Sequence, residues 1–189
     1  MTNKNTIDYG PLAELIGIWK GNKGVDLAPE TDGVENNAYY ETIIFEAVGD
    51  VSNAETQLLA VLHYHQVVQR ISDNKHIHDE TGYWHWDAQS NLIMHSLTIP
   101  RGVCVLAGGQ YHAQTNGTTL LEVSAGLDNK DWQIIQSPFM NENARTTAFE
   151  HKILLKGNTL KYTEKTTVDI YGKIFEHTDE NELNRVISD

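Results

Sequence analysis

Cysteine is almost missing from this chain. Cys104 is the only one among 189 residues, which excludes an internal disulfide and any cysteine-built zinc or iron–sulfur site within one chain. Basic charge is also scarce. Fourteen Lys and Arg stand against 26 Asp and Glu, a formal net charge of −12, so there is no basic face for nucleic acid or for an anionic membrane surface. No apolar run reaches the ~20 residues of a membrane helix, and the polar stretch Met1–Asp8 lacks the apolar core of a secretory signal. There is no Gly-x-Ser-x-Gly elbow, phosphate-cradling glycine loop or His-Glu-x-x-His helix. The expectation is a soluble cytoplasmic protein without nucleic-acid or membrane partners, built as a short tail (residues 1–9) and one domain (10–189).

What is present is strand. Hydrophobic residues make up 40% of the chain, and they recur in short segments of β type: 39–47, 57–71, 76–86, 92–99, 103–113, 118–127, 144–155 and 160–170. Phe149, His151, Ile153 and Leu155 fall on one face, as do Leu160, Tyr162, Thr166 and Val168. Turn chemistry separates the segments at Asp73-Asn74-Lys75, Thr115-Asn116-Gly117 and Lys156-Gly157-Asn158, and Tyr171-Gly172-Lys173 closes a further hairpin. With no helices between them, the strands predict an antiparallel meander. Their length favours closure into an all-β up-and-down barrel of the lipocalin or calycin kind, wide enough for one small ligand.

Only two helical signals stand out. Pro11 to Ile16, ending before Gly17, predicts a short N-terminal helix. Asp179, Glu182 and Arg185 predict another near the end of the chain. The stretch Asn22–Asn37, rich in Gly, Asp and Asn, reads as a long loop. Cys104, between Val103 and Val105, reads as a small apolar filler, and Gly108-Gly109 as a bulge or a point of close backbone approach.

Nine histidines pose the question of ligands. His63 and His65 share a face of one strand, and His76 and His78 share a face of the next. Four imidazoles converging on a metal is the sharp reading, and solvent-facing or cavity-lining side chains the bland one. His78 and Glu80 also share a face with Gly82, Trp84 and Trp86, which describes a cavity wall carrying a few placed polar groups. Gly17-Ile18-Trp19-Lys20-Gly21 brings a Trp into the first strand, either as an ordinary core residue or as a plug at the barrel base. His177, beside Phe175, reads from its residues alone as an axial ligand or as a cap for the terminal helix, the cap being favoured.

Taken together, Gly-x-Trp-x-Gly at 17–21 behind the short helix, His78-x-Glu80-x-Gly82-Tyr83 and the late His177 resemble the nitrobindin family over about residues 10–186. That family includes the haem-binding domain of a THAP-domain protein and bacterial proteins once labelled fatty-acid-binding-like. Asn22-Lys23-Gly24 departs from the family's usual glycine spacing. The resemblance implies a barrel of about ten strands holding ferric haem b, with His177 as the axial iron ligand and His78 on the distal side. It also implies nitric oxide binding or isomerisation of peroxynitrite to nitrate. The alternative is a non-haem, fatty-acid-binding-like carrier of an apolar ligand, whose carboxylate would be gripped by Arg101 or Arg145 with Tyr64 or Tyr83. The partner expected is a small molecule in the barrel, with a homodimer left open.

Overall fold

Strand pairing closes on itself. The computed structural model describes residues 7–187, so most of the expected tail lies outside the described residues, and Ile7–Tyr9 carry no regular structure. The strands are β1 (Gly17–Glu30), β2 (Gly33–Asn53), β3 (Gln57–Arg70), β4 (His76–Asp87), β5 (Leu92–Ile99), β6 (Val103–Gln110), β7 (Thr119–Gly126), β8 (Ile134–Gln136), β9 (Ala144–Lys156), β10 (Thr159–Ile170) and β11 (Lys173–Arg185). All pairings are antiparallel. The order β5-β4-β3-β2-β1-β11-β10-β9-β7-β6 is closed by pairing of β5 with β6, and β8 adds to the edge of β6. The result is a ten-strand barrel with one extra strand: the closed antiparallel barrel that turn spacing and strand lengths predict, with the strand number that the family resemblance implies.

Two expectations are corrected. The stretch 22–37 is not a loop but the turn end of the β1–β2 hairpin, turned by Thr31 and Asp32 alone. Its alternation was hidden because polar residues, Asp26 and Asn37, face inward. Pro29 is tolerated because β11 pairs with β1 only as far as Leu27. The terminal helix is likewise strand. Asn181 and Leu183 of β11 are buried on the inner face, and β11 is held on both sides by β1 and β10, an environment that overrides local capping chemistry.

The N-terminal helix is a 3₁₀ turn, Gly10–Leu15. A short helix, α1 (Pro138–Asn143), was not foreseen; Ser137 caps it by accepting from the Met140 N–H. The Tyr171-Gly172 turn has φ of 56° and 72°, the left-handed pair that a two-residue hairpin of this type demands. Cys104 faces outward and is exposed, while its neighbours Val103 and Val105 are buried.

The two ends of the barrel differ. At one, Leu12 and Leu15 of the 3₁₀ turn pack with Trp19, Phe45, Leu62, Ile93, Leu155, Leu160 and Leu183. Trp19 is wholly buried and its indole N–H donates to the Leu15 carbonyl at 2.7 Å, so it does close the barrel base. The other end, where β1 meets β2, β3 meets β4 and β10 meets β11, is the mouth. Gly82 of β4 makes the wall between them continuous. A Cβ there would drive into the Ser96 carbonyl oxygen of β5. Gly82→Ala is therefore expected to cost about 3 kcal/mol, read as a lower midpoint in urea unfolding with an unchanged slope.

Candidate functional site

A cavity of about 450 Å³ opens at the mouth, within the range of small-molecule and cofactor sites. Val68, Leu97, Val105, Met140, Phe149 and Val168 supply apolar wall, and Arg70, Lys75, His76 and Arg101 stand among its lining. Arg70 is occupied by Glu35 and Asp73. Among the described residues Lys75 and Arg101 form no ion pair.

His177 and His78 both line this cavity. They sit on β11 and β4, four steps apart in a ring of ten strands and so on nearly opposite walls. His177 Nε2 donates to Asp26 Oδ1 at 2.7 Å, with Asp179 Oδ2 at 3.4 Å, and its other ring nitrogen has no partner among the described residues. Burial opposes the charge on His177, but the hydrogen bond to Asp26 and the charges of Asp179 and Asp26 raise its pKa above the usual imidazole range. Asp179 is pushed up to about 6, chiefly by burial. The strand alternation brings Asp26, which the sequence reading left in a loop, to the very imidazole singled out near the C-terminus.

His78 Nε2 lies 3.3 Å from Glu80 Oε2, and Glu80 is buried. The Tyr64 hydroxyl donates to the other oxygen of Glu80, and His95 Nε2 lies 2.8 Å from the same hydroxyl. His95 is fully buried and stacks on Trp84, with centroids 4.1 Å apart and planes at 12°. Thus His78, Glu80, Gly82, Trp84 and Trp86 do share the inner face of β4, but only His78 and Glu80 line the cavity. Their hydrogen bonds continue inward through Tyr64, singled out only as a grip for a carboxylate, and His95, which no motif flagged.

Below it lies a second buried network. Glu41 accepts from Gln66 Nε2 at 2.9 Å, Tyr162 at 3.1 Å and Asn181 Nδ2 at 2.8 Å, and Tyr162 shares a 2.6 Å hydrogen bond with Tyr39. Burial pushes the Glu41 carboxyl up to about 7 despite those donors. The three donors leave neither of its buried oxygens without a hydrogen bond. Glu164 also lines the mouth cavity; burial first, then the charges of Glu80, Asp179 and Glu41, hold its pKa well above the usual carboxyl range.

His151 is packed among Trp84, His95, Phe149 and Tyr162. Its Nδ1 is 3.2 Å from Glu164 Oε2, but neither ring nitrogen meets hydrogen-bond geometry. Burial lowers its pKa to about 4. A depressed histidine contributes stability above about pH 6.5 that is lost as pH falls toward 4. His151→Leu removes that loss. Relative to the parent it is expected to gain about 2 kcal/mol between pH 7 and pH 5, measured by urea unfolding at both values.

The remaining candidates do not assemble. His63 is half-exposed near Thr81 and Glu46, and His65 pairs with Asp79 on the outer surface, so the four paired histidines do not converge. The carboxylate grip is equally dispersed: Arg101 is at the mouth, Tyr64 inside, Tyr83 exposed, and Arg145 outside on Asp169.

A family model described as "THAP4-like, heme-binding beta-barrel domain" matches residues 8–185. Among solved structures, the crystal structure of Rv2717c from M. tuberculosis superposes with a TM-score of 0.70. It covers 95% of this chain and 100% of its own at 22% identity, a likeness of fold. Comparison with curated proteins finds no significant match. No helix among the described residues is long and apolar enough to cross a membrane.

Proposed function

Because the chain belongs to the THAP4-like, heme-binding beta-barrel domain family, we propose that it binds haem b in the mouth cavity with His177 as axial ligand. The observation that carries this is the state of His177: an imidazole lining the mouth cavity, one nitrogen tethered to a buried carboxylate and the other without a partner among the described residues. Histidines that ligate metals characteristically donate their second N–H to such a group, which fixes the ring and raises its basicity. The rest of the cavity suits the same ligand. Apolar side chains from β3, β5, β6, β9 and β10 match a porphyrin face, and the unpaired Lys75 and Arg101 match its two carboxylates.

The reaction proposed is isomerisation of peroxynitrite to nitrate, or binding of nitric oxide, in this cavity. When bound, ferric haem would supply a Lewis acid there. The chain's residues do the remainder. Asp26 orients His177, the apolar side chains of the wall receive the flat face of the ligand, and His78 presents its imidazole from the facing wall to a ligand seated between them. The isomerisation keeps every atom and electron within the substrate, so no reductant is needed.

Hemin titrated into protein without an affinity tag tests this. A saturable Soret band at one hemin per chain is expected, together with faster decay of peroxynitrite to nitrate than free hemin gives. A featureless, unsaturating titration would remove the haem reading, and a decay no faster than that of free hemin would reduce the protein to a haem carrier.

A further inference from the structure

Three buried groups stand behind His78 and take no part in holding the proposed haem. Their hydrogen bonds run in one sense. Ionised Glu80 can only accept, so the single proton of the Tyr64 hydroxyl goes to its Oε1. That hydroxyl oxygen is then free to accept from His95 Nε2–H at 2.8 Å. The opposite nitrogen of His95 is left bare, and it indeed has no partner. At the other oxygen of Glu80, the donor is His78 Nε2–H at 3.3 Å. Glu80 and Tyr64 are each 2% exposed and His95 0%, and the Tyr64 hydroxyl meets both neighbours directly.

A carboxylate that deeply buried stays ionised only beside a cation; Glu41, which has none among the described residues, is pushed up to about 7 instead. His95 cannot serve: burial, and then the charge of His151, hold it neutral down to about pH 3. His78 is the group in contact that can. We propose that the chain His95–Tyr64–Glu80 is a positioning device that keeps His78 as an imidazolium, its second N–H turned into the mouth cavity, so that the site selects small anionic ligands over neutral ones. The proposal rests on the haem reading for where the ligand sits, but the chain itself does not depend on haem.

The surroundings agree with that charge. His78 is faced by Glu80 on its own strand, Asp179 and His177 on β11, and Arg101 on the β5–β6 turn. Burial and Arg101 work against protonation, and the hydrogen bond and charge of Glu80 with the charge of Asp179 outweigh them, leaving the His78 pKa above the usual imidazole value. Glu80 in turn is held below the usual carboxyl range: burial, the largest influence, is outweighed by the hydrogen bond and charge of His78 with help from His95 and Tyr64.

The test has one arm without haem and one with it. In the apoprotein, the His78 ring is titrated by NMR. Glu80→Gln is expected to lower its midpoint by at least about one pH unit, a tenfold change in proton affinity. Glu80→Asp, which keeps the charge but withdraws it by one methylene, is expected to lower it less and serves as the second variant should Glu80→Gln fail to fold. In the hemin-loaded protein at pH 7, Glu80→Gln is expected to weaken azide binding by about tenfold while carbon monoxide affinity of the ferrous form changes less than about twofold. In a His78→Gln background the same substitution is expected to have no further effect on azide. A His78 midpoint unmoved by both Glu80 variants overturns the proposal whether or not hemin binds, as does equal weakening of azide and carbon monoxide. Failure to bind hemin overturns the haem reading instead, and the apoprotein titration still judges the chain.

Discussion

Replacing His177 with alanine is expected to weaken hemin binding by more than about 100-fold, beyond the 10–100-fold typical of losing a group that merely orients a metal ligand. The substitution removes the only imidazole on β11 that reaches the cavity and strands Asp26, whose Oδ1 now accepts from His177 Nε2 at 2.7 Å. Asp26→Asn should fall within the orienting range, since the ring remains but its tether weakens and its basicity drops. The order of the two effects matters as much as their size. If Asp26→Asn were the more damaging, the carboxylate would be the ligand-facing group and the imidazole its support. Soret titrations of the two variants against the parent decide this, with circular dichroism confirming that each barrel is intact.

The second large effect lies at the opposite end. Trp19→Ala is expected to destabilise the fold by about 3–5 kcal/mol, a fall of about 10 °C in the thermal midpoint for a chain of this size. Three losses combine. The indole is fully buried among Leu12, Leu15 and Leu183, its N–H donates to the Leu15 carbonyl, and its ring lies 4.2 Å from the Arg185 guanidinium. Arg185 in turn donates to the carbonyls of Ile16 and Glu14, so one residue ties the 3₁₀ turn, β1 and β11 together. Because the mouth is built from the far ends of the same strands, folded Trp19→Ala protein should still bind hemin below its lowered midpoint.

Strand and turn positions were legible wherever apolar residues alternate over polar ones, as in β9 and β10. They were illegible where the inner face is itself polar. Asp26 and Asn37 on the β1–β2 hairpin, and Asp179 and Asn181 on β11, break the apolar alternation that marks a half-buried strand, so both segments read as loop or helix. The site followed the same rule. His78, Glu80 and Gly82 stood out because bulky aromatics flank them on one face. Tyr64, His95, Glu41 and Glu164 lie on strands that were legible, but nothing beside them in sequence tied them to one another; only the closure of ten strands brings them together. Tyr39, Glu41, Ile43 and Phe45 do share one parity, and reading Glu41 as an inward residue of that strand would have exposed the lower network.

Iron anomalous scattering from crystals of the hemin-loaded protein tests the central claim most directly. The account requires one iron peak inside the mouth cavity, bonded to a ring nitrogen of His177, with the facing wall occupied by His78. Iron bound at His63, His65 or His76, or a porphyrin lying on the outer surface with His177 still held by Asp26, would contradict it.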